Sequence, residues 1–415
     1  MNLLKTSFLG AFSAGIGMVC LFISGKAFAI FVGPAGFSVV GQLMYFTQIM
    51  LLIAGGLYQM GVVKYVAEHK GNPDFLRDFY RTTTTLALGS IVILFVFLLV
   101  FAHWLSLWVF KTPGYENLFR VFAFTIIFFS ANNFLLRILN GLGEIKSYTL
   151  ANIASGVFSM ILTVFLLYFM GLRGGLYAMI LGQAGVFFYT AYLLARTKKF
   201  KWDYLGFGFD KLKAMMLGKF ALMSIVAGIA APVSQMILLN FYMSKLGPVD
   251  VGYWQAMNRI VSIVSSVFMS GLSLYYIPVL SALYDKAEIR KEIFKVYRLI
   301  IPLLVLACFI TWLLRKPLIC FALTKQFLPM EQLFFYQLLA LIFQMLSWII
   351  CNLMWAKSMY RVFIISEIVF VSTYVLLGVF CVNHFGFEGV SIAPCINYGL
   401  YLIFSFLLLA IYLKE

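Results

Sequence analysis

Charged residues are scarce in this 415-residue chain, at 11%, and acidic ones scarcer still, with 15 Asp and Glu against 31 Lys and Arg. With 63% hydrophobic residues and a mean hydropathy of +0.98, the sequence has too little polar surface to coat a soluble domain of this size, so lipid must be its solvent. Histidine is nearly absent: His69, His103 and His384 fall in different loops or helix ends, and no cluster of them offers metal ligands or a proton relay. The six cysteines, Cys20, Cys308, Cys320, Cys351, Cys381 and Cys395, lie in or beside apolar segments without the paired spacing of a metal site or a disulfide framework, and packing is their expected role. No nucleophile stands with a nearby base, and there is no Walker-type phosphate loop or nucleotide-binding domain. A net charge of +16 would suit nucleic acid, but the basic residues punctuate the ends of apolar segments instead of forming a water-exposed patch.

What remains is a succession of membrane-length apolar runs. A spanning helix needs roughly 20 residues, and runs bounded by Gly, Pro and charge clusters predict six helices near 5–32, 37–65, 81–110, 117–139, 147–170 and 174–196. A basic, aromatic connector follows, and then six more helices near 217–246, 250–283, 293–315, 330–356, 362–383 and 389–413. The stretch 316–329 reads as a short amphipathic surface helix. The predicted fold class is all-α, a polytopic membrane protein with an N-terminal half 1–196, a cytoplasmic connector 197–216 acting as a hinge, and a C-terminal half 217–415. One set of loops and ends carries 22 of the 31 Lys and Arg and the other set 7, which predicts that both termini are cytoplasmic. Lys5, an apolar run and Ala27-Phe28-Ala29 imitate a secretory signal, but the run is too long for a signal core and Lys26 precedes the apparent cleavage point, so the first helix is expected to stay.

The two halves repeat each other. Gly171-Leu172-Arg173-Gly174 stands 215 residues before Gly386-Phe387-Glu388-Gly389, and Gly33-Pro34 stands 214 before Gly247-Pro248. Lys146–Ile153 likewise pairs with Arg361–Ile368 at 215. Six spans is an even number, so both halves enter from the same side, a transporter arrangement with the substrate path between them.

An isolated charge at membrane depth costs roughly 2.5–3.5 kcal/mol, so such residues commonly mark a pathway. Lys26 precedes the outer Gly-Pro turn by eight residues, and Arg259 lies at similar depth in the eighth helix. Gln255, Arg259, Ser262, Ser266 and Ser273 recur at spacings of 4, 3, 4 and 7, one polar helix face, while Val261 and Val264 are expected to meet lipid. Gln42, Asn132, Asn133, Asn240, Gln337 and Gln344 add neutral donors that suit sugar hydroxyls; the alternative is that they link helices. Lys26 as a cation that snorkels to the outer headgroups is likewise an open alternative. Lys64 and Arg137 sit near the inner ends, either snorkelling or catching a phosphate at an inner entrance. Glu367 is the acidic residue placed clearly inside a span, as a structural or gating partner of a cation or as a coupling carboxylate.

Gly25-Lys26 with Gly33-Pro34-Ala35-Gly36, Lys64-Tyr65-Val66-Ala67 with Asn72-Pro73, Gly252-Tyr253-Trp254-Gln255, Trp312-Leu313-Leu314-Arg315 and Ala356-Lys357-Ser358 together resemble the Wzx-type flippases of the multidrug, oligosaccharidyl-lipid and polysaccharide exporter (MOP) superfamily. The resemblance runs along the whole chain and is strongest to flippases of lipid III and O-antigen units. It implies a cargo of undecaprenyl diphosphate carrying an oligosaccharide, moved to the periplasmic leaflet of a bacterial inner membrane by alternating access, with Lys26 and Arg259 lining the path. It further implies a transporter with no catalytic residues, no bound metal and no cofactor. Inner-membrane lipids, the polysaccharide polymerase and the chain-length regulator are the partners it suggests, and the coupling ion, H+ or Na+, stays open. The other reading is a drug or cation antiporter of the same superfamily, for which Glu367 is the single buried carboxylate available.

Overall fold

The computed structural model describes residues 3–414 except 56–58, 70, 183, 198–199, 201, 205, 284 and 358. Among these the elements are helical throughout: α1 Leu3–Phe31, α2 Gly33–Ile53, α3 Gln59–Glu68, α4 Pro73–Val100, α5 Ala102–Phe110, α6 Glu116–Gly141, α7 Ile145–Leu181 and α8 Phe187–Arg196, then α9 Lys211–Lys245, α10 Pro248–Ala282, α11 Lys286–Leu313, α12 Arg315–Ala322, α13 Phe334–Ala356, α14 Tyr360–Phe385 and α15 Gly389–Lys414. Eight described stretches are long and apolar enough to cross a membrane, and one of them, Arg361–Leu413, holds two helices. The chain is a multi-pass membrane protein. It divides into two compact units, one of residues 1–31 and 39–233, the other of 32–38 and 234–415.

Several predicted spans are broken where apolar composition gives no warning. The second divides into α2 and α3, with a turn at Ala54 and Gly55 beside which the Ser130 hydroxyl donates to the Ala54 carbonyl. The third divides at Phe101 into α4 and α5. Its start is set by Asn72, whose side chain accepts from the Phe75 amide at 3.0 Å, with Pro73 in the first turn where its missing N–H is harmless. Within the first unit α1 packs on α7, and the approach depends on small residues: Cys20 Sγ lies 3.8 Å from where a Cβ would sit on Gly156, and the Phe28 ring occupies that space on Gly175.

The repeat read from the sequence is written into the backbone. Gly171 bends α7 with φ 55° and ψ −137°, and Gly386, which ends α14, has φ 58° and ψ −132°, a region that only glycine visits at low strain. Three residues on, a Cβ at Gly174 would stand 2.0 Å from the Leu166 carbonyl oxygen, and one at Gly389 would stand 2.4 Å from that of Cys381. Each glycine thus touches the carbonyl eight residues before it. Gly33 and Gly247, at the other matching pair of turns, are also left-handed, with φ 68° and 87°.

The central connector is fastened to the first unit. Thr85 Oγ1 donates to the Gly208 carbonyl at 3.0 Å and accepts from its amide at 3.1 Å, and the Asp210 amide donates to Thr82 Oγ1 at 3.0 Å. Lys213 Nζ reaches Asp210 at 2.8 Å and Asp78 at 3.2 Å, while Phe200 and Tyr204 pack on the buried Tyr80. The segment expected to serve as a hinge is therefore held along α4 as far as Lys213. Hydrogen bonds from Lys213 hold the Asp210 carboxyl below its ordinary range. Burial alone would pull the Lys213 ammonium down, but the two carboxylates outweigh it and leave it raised. In the second unit Trp254, Tyr242, Tyr276, Phe327 and Phe334 are fully buried, and residues 32–38 join this core through Phe37, whose ring meets Phe327 edge-on at 5.2 Å.

Candidate functional site

Arg259 lies eleven residues, roughly 16 Å, into α10 and is half-buried. The helix reaches this depth unbroken because Gly247 and Pro248 start it cleanly, and because Gly252 lets it press against the Pro34 carbonyl, where any Cβ would clash. Gln255 on the same face is buried, at 5% exposure, and Ser262 is exposed, its hydroxyl donating to the Arg259 carbonyl at 2.8 Å. Ser266 makes the same type of local bond to Ile263. These serines neutralise their own hydroxyls on the helix backbone, so the face offers one guanidinium amid softly polar surface. The Ser273 side chain lies outside the described residues. Val261, expected to meet lipid, is instead buried at 9% exposure; Val264 is half-buried.

Lys26 sits half-buried five residues, roughly 8 Å, before the end of α1. The neutral residues separate into two groups. Gln337 donates to Asn258 Oδ1 at 3.2 Å and Gln344 to the Tyr398 hydroxyl at 3.0 Å, so these two link helices, while Asn133 donates to the Phe129 carbonyl of its own helix at 3.2 Å and links none. Gln42 Nε2, Asn132 Oδ1 and Asn240 Oδ1 are buried and have no protein hydrogen bond. A buried polar atom left unsatisfied costs about 1–3 kcal/mol, so these three, like Gln337 Oε1 and Asn397 Oδ1, are available to a bound hydroxyl or to water.

Of the two residues expected near the inner entrance, Lys64 is exposed and pairs with Glu68 at 3.8 Å. Arg137 is half-buried and lines a small cavity with Gly55, Thr83, Ser130 and Phe134, and its Nε has no hydrogen-bond partner. The α2–α3 break that creates this cavity escaped the sequence reading, although the Gly55-Gly56 pair was a visible signal for it. Glu367 is half-buried on α14, within electrostatic reach of Tyr398 and Tyr401 on α15 and of Cys351 on α13. Among the described residues no cation pairs with it, and no group of His, Cys, Asp and Glu could hold a metal ion. Glu331, at the start of the tenth span, instead bridges Arg315 at 3.7 Å and Lys316 at 3.6 Å.

Comparison with known proteins gives this geometry a setting. A lipid III flippase of Escherichia coli (strain K12) is 28% identical over 382 residues, covering 92% of this chain and 91% of that protein, and one of the same name from Shigella flexneri matches equally. Among solved structures, an inward-facing multidrug resistance transporter of the MATE family in the MOP superfamily superimposes with a TM-score of 0.82 at 15% identity, covering 96% of this chain and 94% of the other. A MOP superfamily transporter from Pyrococcus furiosus gives 0.73 at 15% identity, with 99% and 96% covered. The chain thus has the MATE transporter fold, two pseudo-symmetric halves of about six spans each. The family described as polysaccharide biosynthesis protein matches residues 27–332, and the chain belongs to it.

Proposed function

We propose that this protein is a flippase that moves an undecaprenyl-diphosphate-linked oligosaccharide, an O-antigen or enterobacterial common antigen unit, from the cytoplasmic to the periplasmic leaflet of a bacterial inner membrane. The observation that carries the reading is Arg259, a half-buried guanidinium at membrane depth on the polar face of α10. A diphosphate needs fixed cations and sugars need neutral hydrogen bonds. Arg259 and Lys26 supply the first, and Gln255, Ser262, Gln42, Asn132, Asn133 and Asn240 supply the second. The relatives named as lipid III flippases, aligned over more than nine-tenths of each chain, support the same cargo class. In this reading the sequence halves 1–196 and 217–415 are the two bodies of an alternating-access cycle, Arg137 meets phosphate at the inner entrance, and Lys64 screens that entrance in partnership with Glu68. Glu367 serves as the coupling or gating carboxylate. In this reading both termini lie in the cytoplasm, as expected from the excess of Lys and Arg in one set of loops. The polymerase and chain-length regulator that consume the cargo are the protein partners.

Deleting the gene from its host should abolish surface glycan and leave lipid-linked units in the inner leaflet, with restoration by the wild-type chain. Normal glycan in the deletion strain, together with new sensitivity to cationic drugs, would support the antiporter instead.

A further inference from the structure

The first turns of α11 carry a feature that shares no residue with the proposed cargo site. Lys291, Phe294, Lys295, Arg298 and Leu299 are all exposed and line a surface cavity of about 460 Å³. Their spacing of 3, 1, 3 and 1 puts them on one helix face, and the opposite face, with Ile289, Ile293, Val296, Tyr297 and Ile300, is buried in the second unit. Glu292 pairs with Lys295 at 3.2 Å, but its side chain is only 13% exposed, so the open face presents three cations and two apolar groups. Arg290 stands 5.8 Å over the Phe294 ring and adds a fourth positive charge at the rim.

The character of this face changes along the helix. Beyond Arg298 it continues as Leu299, Leu303, Leu306 and Ile310, exposed by 63%, 51%, 54% and 46%, with no charge until the helix ends at Leu313. The cationic part, Lys291 to Arg298, is roughly 10 Å long and the apolar part, Leu299 to Ile310, roughly 16 Å, the depth of one leaflet of hydrocarbon. A soluble phosphate or an acidic peptide would use the first part and leave the second bare. A lipid uses both, with phosphate against the basic turns and acyl chains along the leucines.

We propose that this face of α11 is a binding site for an anionic glycerophospholipid, such as phosphatidylglycerol or cardiolipin, with its phosphate held by Lys291, Lys295 and Arg298. The acyl chains lie in the leaflet next to the N-terminal end of α11, which is the cytoplasmic one in the orientation proposed above, although the site itself does not depend on that orientation. None of its residues is among those proposed to hold the cargo, and a lipid bound here would anchor α11 while other elements move.

The test is native mass spectrometry of the detergent-purified full-length chain titrated with phosphatidylglycerol, phosphatidylcholine or a polyprenyl diphosphate. The expected result is retention of phosphatidylglycerol over phosphatidylcholine, reduced at least tenfold in a Lys291→Gln, Lys295→Gln, Arg298→Gln variant. It should be preserved when Lys291 and Lys295 are replaced by Arg. Arg259→Ala should retain the lipid whatever it does to transport, so failure here is separable from failure of the flippase reading. Unchanged retention in the triple variant, equal retention of the zwitterionic lipid, or displacement of phosphatidylglycerol by polyprenyl diphosphate through these same residues would overturn the proposal.

Discussion

Arginine and lysine differ at a phosphate in a way that Arg259 and Lys26 should expose. A guanidinium offers a planar fork of donors that can bind two oxygens of one phosphate, whereas an ammonium is a point charge on a flexible stem. A charge-assisted contact contributes roughly 1.5–3 kcal/mol, so removing Arg259 should lower cargo movement by about ten- to a hundredfold. Arg259→Lys should keep an intermediate rate and Arg259→Ala should not, while Lys26→Arg should be tolerated better than Lys26→Ala. Quantifying surface glycan against membrane-inserted protein checks this, and equal loss in Arg259→Lys and Arg259→Ala would show that the residue packs and does not bind. The neutral residues divide differently. Gln337 is committed to Asn258 and Gln344 to Tyr398, so substitution there should act on stability more than on transport, whereas Asn240, with a carbonyl oxygen free of protein partners, should do the reverse.

At the level of the elements, the paired glycines and the connector make separate claims. Gly174 and Gly389 each press on a carbonyl oxygen, and an alanine there must push backbone apart, which costs about 1–3 kcal/mol or more. Gly171 and Gly386 have open space around them and are constrained by φ alone, and the strain of placing a side chain there is about 1–3 kcal/mol, relieved in part by local relaxation. Thermal unfolding in detergent should therefore fall further for Gly174→Ala than for Gly171→Ala, and likewise for Gly389→Ala over Gly386→Ala; the reverse order in both halves would refute the shared geometry. The connector latch has a pH signature. Asp210 is held below its ordinary range, so its stabilising contribution is present at neutral pH and is lost as pH falls through that lowered value. Lys213 is held above its ordinary range, so its contribution is complete at and below neutrality and is lost only as pH rises through the raised value. Hydrogen exchange over residues 206–213 should be slow at neutral pH, speed up in strong acid, and be fast at every pH in Lys213→Met. Exchange indifferent to that substitution would mean the backbone bonds to Thr82 and Thr85 hold the connector alone.

Over the whole molecule, cysteine labelling should find 66–80, 140–146, 196–216 and 284–292 on the cytoplasmic side; labelling of the central connector from outside would undo both the orientation and the six-span repeat. Much of this plan was legible because lipid allows few solutions: apolar length sets the spans, and Gly-Pro punctuation at constant offset exposes the repeat. The break at Phe101 was not legible, since a kink between aromatic turns leaves no trace in hydropathy, and the one at Ala54–Gly55 was missed because the reading followed apolar length past the Gly55-Gly56 pair. Nor was the fastening of the connector, which depends on Thr82 and Thr85, threonines that read as ordinary helix residues. For the candidate site, periodicity groups Gln255, Arg259 and Ser262 on one face of α10, and it misjudged Val261, whose burial depends on tertiary packing that helical spacing does not report.

The most direct test of the account is reconstitution. Purified protein in proteoliposomes should carry a fluorescent polyprenyl-diphosphate oligosaccharide from one leaflet to the other, and Lys26→Ala with Arg259→Ala should slow that movement by at least about a hundredfold at equal protein content. Movement by the double variant at the wild-type rate, or no movement by the wild-type chain, would contradict it.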